Sequence, residues 1–171
     1  MHQYDYIVVG AGSAGSALAN RLSESGKFTV CLLEAGGSDK KFWVQMPLGY
    51  GKVFHDPSVN WRYMTEPEPN LDNQSVYWPR GKVLGGSSSI NAMVWVRGHK
   101  RDYEEWNSVA PGWGWDNIKK IFNRIENWDG TSNISRGTNG PQSVHDVSSD
   151  VHPLTISYLK AASQVGIKTN A

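Results

Sequence analysis

The feature that most constrains this chain is a glycine run near its N-terminus, spaced Gly10-x-Gly12-x-x-Gly15. A short β-branched apolar segment, residues 4–9, precedes it, and a segment with helical apolar spacing, residues 14–25, follows it. Glycines in this pattern permit a tight turn, close approach of the backbone to a pyrophosphate, and close packing of the helix on the strand. The order of strand, glycine turn and helix therefore predicts a dinucleotide site at a helix N-terminus.

A second buried strand, predicted over residues 29–34, ends at Glu34. The single helix between the two strands predicts a parallel, right-handed βαβ unit. A carboxylate at this position can accept hydrogen bonds from ribose hydroxyls, and it repels the 2′-phosphate of NADP. These features predict a dinucleotide ligand but do not separate FAD from NAD.

Composition excludes several classes of protein. The chain is 39% hydrophobic and 11% aromatic over 171 residues, which matches about one ordered domain. Its formal charge is +1 and the basic residues form no stripe, so we expect no nucleic-acid partner. No apolar stretch approaches the ~18 residues of a membrane span, and the N-terminus lacks a secretory signal. We expect a cytoplasmic protein without a transmembrane segment, and peripheral membrane association stays open.

Shorter elements are predicted after the βαβ unit. Short strands are expected near residues 61–65 and 76–78, within a stretch rich in proline and aromatics. A second glycine-rich stretch, residues 80–91, leads into an apolar run, 92–96, that is predicted as a strand. Its paired glycines and three serines would let backbone amides close on a flat or anionic ligand. The same pattern also occurs in plain turns.

The C-terminal part predicts mainly helices. Apolar residues between Trp115 and Trp128 recur at helical spacing, with Asp116 as the predicted N-cap. Residues 129–150 are polar and turn-rich, which is typical of a linker or surface loop. A last helix is predicted to open at Pro153 and to close at Gly166.

Taken together, residues 5–15, 33–37 and 81–104 resemble the glucose-methanol-choline (GMC) oxidoreductases. Within that family the chain is most similar to bacterial choline dehydrogenases and related alcohol dehydrogenases. The resemblance covers the whole chain and implies an α/β, Rossmann-like FAD-binding domain that starts with the parallel βαβ unit and is incomplete without the family's C-terminal part. It also implies that residues 1–128 are the N-terminal portion of this domain, and that 129–171 are a linker and the start of the substrate-domain region.

The resemblance also implies two sets of cofactor contacts. The residues expected to bind the ADP half of FAD are Gly10, Gly12, Ser13, Ala14, Gly15, Glu34 and Ala35. The residues expected to run along the flavin are Arg80, Val83, Gly85, Gly86, Ser87, Asn91, Ala92, Met93 and Val94. Some family members hold FAD covalently through a histidine directly before the position of Asn91. Here that residue is Ile90, so noncovalent FAD is expected.

The family's reaction transfers a hydride from an alcohol to flavin, while a histidine near the C-terminus takes the hydroxyl proton. That histidine and its His or Asn companion have no counterpart here, so we expect an inactive N-terminal fragment without a catalytic residue of its own. The implied substrate is a small alcohol, choline or another primary alcohol, and the electron acceptor is not indicated. The histidines present are expected to be structural or at the surface: His2, His55, His99, His145 and His152.

Two other functions compete with this interpretation. An NAD-dependent dehydrogenase would explain residues 4–36 equally well, but it leaves the pattern over 81–94 unexplained. A nonenzymatic nucleotide-binding module gains support from the missing base, although truncation explains that absence more simply.

Overall fold

A computed structural model of the chain describes residues 2–131 and 135–168. The chain divides into two compact units, Met1–Val94 and Trp95–Ala171, and each is treated by itself. No helix in the described ranges is both long and apolar enough to cross a bilayer. Within the same ranges, no group of three or more His, Cys, Asp or Glu side chains could hold a metal ion.

The first unit opens with strand β1 (Tyr6–Val9), helix α1 (Ser13–Ser23) and strand β2 (Val30–Leu33). β1 and β2 pair in parallel, with Tyr6 opposite Val30 and Val9 opposite Leu33. The predicted βαβ start is confirmed. Both strands end at the same edge, where the glycine loop and Glu34 follow.

The rest of the first unit consists of short elements. The helices are α2 (Phe42–Gln45) and α3 (Tyr50–Val53), and the strands are β3 (Tyr63–Met64) and β4 (Tyr77–Trp78). β3 and β4 pair antiparallel, so the two short predicted strands are confirmed, each over two residues. The 3₁₀ turns are Pro47–Gly49, Pro69–Leu71 and Gly86–Ser89.

A small apolar core holds these short elements together. Val53, Val59, Val83 and Ile90 are all buried in it, and Val44 packs against them. The core thus joins α3 to the second glycine-rich stretch, on which the cofactor prediction depends.

The predicted strand over residues 92–96 is wrong, because the structure has no strand there. The Asn91 side-chain oxygen accepts a 2.7 Å hydrogen bond from the Met93 N–H, which forms a local turn. Met93 itself adopts a left-handed conformation, with φ +58°. This turn interrupts the extended backbone that the apolar run would otherwise favour.

The second unit contains three longer helices and a pair of short strands in its described part. These elements are α4 (Lys100–Val109), α5 (Trp115–Ile125), β5 (Glu126–Trp128), β6 (Gln142–Val144) and α6 (Pro153–Gln164). β5 and β6 pair in parallel. The region predicted as a loop over 129–150 therefore contributes a strand, and the helix predicted up to Trp128 ends three residues earlier.

The helix starts show which capping predictions were right. Gly114, not Asp116, is the N-cap of α5 and no side chain caps it, so the predicted Asp116 cap is wrong and Asp116 lies in the first turn. His152 caps α6 by accepting a hydrogen bond from the Leu154 N–H, and Gly166, with φ +85°, follows its end, as predicted. His99 caps α4 in a capping box with Asp102.

Candidate cofactor site

The loops that follow β1 and β2 border a cleft of about 670 Å³ in the first unit. This volume lies within the range of small-molecule sites, about 300–1,000 Å³. Ligands of open parallel sheets bind outside the carboxyl ends of the strands, which is where this cleft lies. Its lining residues are Val9, Gly10, Gly12, Leu33, Glu34, Ala35, Trp61, Tyr63, Arg80, Gly81, Gly86 and Ser87.

The first glycine loop is packed tightly against the start of α1. Gly10 has φ +91°, and its N–H donates a 2.7 Å hydrogen bond to the Leu33 carbonyl. A Cβ added at Gly15 would lie 1.8 Å from the Gly10 carbonyl oxygen, so only glycine fits there. The first N–H groups of α1 have no acceptor within the helix, and with the helix dipole they favour an anionic ligand.

The second glycine stretch docks on the first. The Gly85 N–H donates a 2.8 Å hydrogen bond to the Ala11 carbonyl. Gly86 has φ +60°, and a Cβ on it would lie 2.8 Å from the Gly12 Cα. Two segments some seventy residues apart in sequence are thus held together by their backbones. The second stretch is therefore more than an isolated turn.

Glu34 joins the first glycine loop to the loop that follows β2. One carboxylate oxygen accepts a hydrogen bond from the Ala11 N–H and the other from the Gly36 N–H, both at 2.8 Å. Each oxygen of a carboxylate has a further lone pair, so Glu34 can still accept hydrogen bonds from a ligand's hydroxyl groups.

Asn60 was not among the predicted site residues, but it holds the backbone of Arg80, which lines the cleft. It is 2% exposed, and its side-chain oxygen accepts hydrogen bonds from the Arg62 and Arg80 N–H groups, both at 2.9 Å. Its amide nitrogen donates to the Phe54 carbonyl at 2.8 Å. Arg80 lies in the second glycine-rich stretch, but no sequence pattern links it to Asn60, which is twenty residues earlier in the chain.

Aromatic rings near Asn60 and Arg80 pack against one another and against cations. The Trp61 and Tyr63 rings stack almost parallel, with centroids 5.9 Å apart, and the Lys82 ammonium lies 4.6 Å from the centre of the Trp61 ring. The Arg80 guanidinium lies 4.8 Å from the Trp78 ring. Arg80 brings positive charge to the cleft itself, which favours a phosphate-bearing ligand.

Seven of the predicted contact residues come together in the cleft. They are Gly10, Gly12, Glu34, Ala35, Arg80, Gly86 and Ser87. Four others support its walls without lining it: Ser13, Ala14, Gly15 and Gly85. The Val83 side chain is fully buried in the core, so only its backbone could meet a ligand. Val9, Leu33, Tyr63 and Gly81 line the cleft although they were not predicted.

The predicted flavin segment, Asn91–Val94, lies outside this cleft. Asn91 and Met93 border a separate cavity of about 160 Å³, together with Asp39 and Tyr50. Ala92 and Val94 are exposed.

The cleft fits the ADP half of FAD. Its glycine backbone leaves room for a pyrophosphate beside the N-terminus of α1, Arg80 supplies a positive charge, and Glu34 supplies acceptors for ribose hydroxyls.

Comparison with known proteins decides the family. The family model described as GMC oxidoreductase matches residues 4–171. The chain belongs to the GMC oxidoreductase family. The predicted resemblance is thereby confirmed.

Two relatives of the chain are named as dehydrogenases. The chain is 45% identical over 168 residues to an oxygen-dependent choline dehydrogenase of Rhizobium etli, covering 98% of this chain and 30% of that protein. It is 44% identical over 169 residues to an alcohol dehydrogenase [acceptor] of Pseudomonas putida, again covering 98% and 30%. The chain thus spans about a third of the length of these relatives.

A solved GMC-like structure supports both fold and cofactor. A formate oxidase from Aspergillus oryzae, whose structure concerns FAD modification, superposes with a TM-score of 0.81 at 26% identity, covering 95% of this chain and 30% of that one. The predicted α/β FAD-binding fold is confirmed. Family and neighbour together support FAD as the cofactor.

Proposed function

We propose that this chain is the FAD-binding portion of an enzyme that oxidises an alcohol, either choline or another primary alcohol. The observation that carries the proposal is the convergence of both glycine segments, Glu34 and Arg80 on one cleft. FAD, when bound, supplies the hydride acceptor for such an oxidation. The names of the choline and alcohol dehydrogenases among its relatives support the substrate class.

In this proposal the chain's own residues hold the cofactor. The N-terminus of α1 binds the pyrophosphate, and Glu34 accepts hydrogen bonds from the adenosine ribose. Arg80 was expected along the flavin, but it lines the same cleft as Glu34, so in this proposal its charge also serves the pyrophosphate. Asn60 keeps Arg80 in place through the hydrogen bond to its backbone. The backbone of Asn91–Val94 runs along the flavin.

We also propose that FAD is held noncovalently. Ile90 occupies the position of the linking histidine in some family members, and its side chain is 3% exposed in the apolar core. A hydrocarbon side chain has no nucleophilic atom with which to attach a flavin. Acid precipitation of the protein should therefore leave the yellow colour in solution, and colour retained in the pellet would contradict this part.

The base that takes the hydroxyl proton is assigned to sequence outside these 171 residues, as is the site of the electron acceptor. Three of the histidines in the described ranges have contacts that suit structural roles. His99 and His152 cap helices, and His145 is hydrogen-bonded to Asp129. On this view the 171-residue chain alone has no alcohol-oxidising activity.

The test uses the full-length gene product, purified and examined for flavin absorbance. Bleaching of that absorbance by choline or another primary alcohol without oxygen would support the proposal. A colourless protein whose activity requires NAD would overturn it.

Glu34→Ala provides a sharper test of the site, with Glu24→Ala as its control. Removing the Glu34 carboxylate leaves the Ala11 and Gly36 N–H groups without their acceptor and should weaken FAD binding by at least tenfold, on the order of 1–3 kcal/mol. Glu24 is 61% exposed at the end of α1 and pairs with Arg21 on the same helix, so its loss should leave FAD binding unchanged.

A further inference from the structure

The segment expected along the flavin begins directly after a turn that is anchored in the apolar core. The 3₁₀ turn Gly86–Ser89 ends at Ile90, whose side chain is 3% exposed among the buried valines. The Ser89 hydroxyl donates a 2.7 Å hydrogen bond to the Leu84 carbonyl, which ties the turn back to the residues before it. The backbone is therefore fixed as far as the residue that precedes Asn91.

Beyond Ile90 the chain leaves the core. Met93 is 58% exposed and Val94 is 74% exposed, so apolar packing within the unit does not fix their position. The contact that holds this stretch is local, because the Asn91 side-chain oxygen accepts a 2.7 Å hydrogen bond from the Met93 N–H. Asn91 thus extends the fixed geometry of the turn two residues further along the chain.

The conformation of Met93 makes this hydrogen bond important. Its φ of +58° lies in the left-handed region, which residues other than glycine rarely adopt. Such a residue stays in that region where its surroundings fix it. Without the Asn91 acceptor, right-handed and extended conformations of Met93 would be favoured, and the backbone would leave the turn in a different direction.

We propose that Asn91 is a positioning residue for the cofactor, which acts through the Met93 N–H. It holds Met93 in the left-handed conformation, so that the backbone up to Val94 already has the shape that meets the flavin. The apparent affinity for a ligand falls in proportion to the fraction of molecules that are in the binding conformation. This inference rests on the proposed function, because it takes Asn91–Val94 to border bound FAD.

The first test compares Asn91→Ala with Asn91→Ser in the full-length gene product. The two variants differ by one oxygen atom, and a serine hydroxyl can accept a hydrogen bond from the N–H two residues later, more weakly than asparagine does. Asn91→Ala should raise the dissociation constant of FAD from the apoprotein about tenfold, because Met93 then leaves the left-handed region in most molecules. Asn91→Ser should raise it by a smaller factor.

The second test is a rescue, which separates positioning from direct contact. Glycine adopts φ values near +58° without a steric penalty, so Met93→Gly added to Asn91→Ala should return the dissociation constant to within about threefold of the wild type. Val94→Gly added to Asn91→Ala is the matched control. It loosens the chain one residue later, where φ is not left-handed, and it should restore nothing.

The thermal unfolding temperature of each apoprotein is measured alongside. If Asn91 acted on stability alone, Asn91→Ala would lower the unfolding temperature and leave the dissociation constant of FAD unchanged, which would overturn the inference. If its side chain acted by touching FAD, the double variant with Met93→Gly would bind as weakly as Asn91→Ala, which would also overturn it.

Equal rescue by Val94→Gly would likewise contradict the proposal, because flexibility in general, and not the left-handed turn, would then explain the recovery. Failure of the proposed function would appear differently from all of these outcomes, since the wild-type protein itself would then bind no flavin.

Discussion

Gly86 shows how single residues determine this site. Its φ of +60° lies in the left-handed region, and its Cα faces Gly12 so closely that a side chain would collide with the first loop. The pattern of paired glycines was visible in the sequence, but its partner was not, because the contact joins residues 74 positions apart. Glu34 was predicted at the end of its strand. Its hydrogen bonds to the Ala11 and Gly36 N–H groups became visible only in the structure.

Gly86→Ala should destabilise the protein by more than ~1 kcal/mol and abolish FAD binding, because the new methyl group would force the two glycine segments apart. Thermal unfolding and flavin content after purification measure the two effects. Gly51→Ala is the control, since Gly51 lies in α3 with nothing within 4 Å of an added Cβ, and there alanine should be neutral or stabilising. Equal losses of stability and flavin content in both variants would contradict the importance of the Gly86–Gly12 contact.

Glu126 should give the protein a distinct acid sensitivity. Burial alone would raise its pKa, but hydrogen bonds from Arg97 and Trp95 outweigh burial and lower the pKa from 4.5 to about 2. Because the folded pKa is the lower one, the stabilisation is complete above pH ~4.5 and is lost as the pH falls towards ~2, to a total of about 3 kcal/mol.

This acid sensitivity is measured by chemical unfolding at a series of pH values. Glu126→Gln should be less stable at neutral pH and should lose less stability between pH ~4.5 and ~2 than the wild type. The same slope in both proteins over that range would show that other carboxylates, not Glu126, are responsible.

At the level of helices and strands, the sequence predicted correctly those elements that depend on interactions between residues close in sequence. The βαβ start and the helix opening at Pro153 depend on periodicity, glycine and proline, and both were found. The strand predicted over 92–96 failed because Asn91 competes for the Met93 N–H. The pairing of β5 with β6 depends on a contact across a polar stretch, and nothing in the sequence of that stretch indicates it.

The caps of α4 and α5 can be compared by mutation. His99→Ala removes an acceptor for the Arg101 N–H and half of a capping box, so it should cost about 1 kcal/mol. Asp116→Ala removes only a favourable charge in the first turn of α5, so it should lower the free energy of unfolding by about 0.3 kcal/mol. Urea unfolding of both variants measures the two losses of stability. A larger loss for Asp116→Ala than for His99→Ala would indicate that Asp116 is the cap of α5 after all.

At the scale of the whole molecule, apolar exposure is the dominant feature. Val9 is 82% exposed and Ile7 64% exposed, although both lie in a parallel pair of strands. Parallel sheets are normally covered on both faces, and two strands alone are marginal. The glycine loops could be predicted from the sequence without knowing what covers these strands. The substrate could not be predicted, because the chain matches only 30% of the length of the choline dehydrogenase.

The 171-residue chain, studied alone, should bind the dye ANS and unfold over a broad range of denaturant, since these apolar faces remain open to water. In the full-length gene product the amides of β1 and β2 should exchange slowly with deuterium. A sharp unfolding transition without dye binding in the 171-residue chain would show that β1 and β2 are stable without further protein packed against them.

The two hydrogen bonds that the Glu34 carboxylate accepts from the Ala11 and Gly36 N–H groups have a consequence for the kinetics of cofactor binding. Because the loop around the phosphate site is tied by the protein's own carboxylate, its ordering entropy is lost during folding and not on encounter with the ligand. The apoprotein thus presents a rigid receptor. Cofactor capture should then be limited by diffusion and electrostatic attraction, with a rate that falls as salt is added.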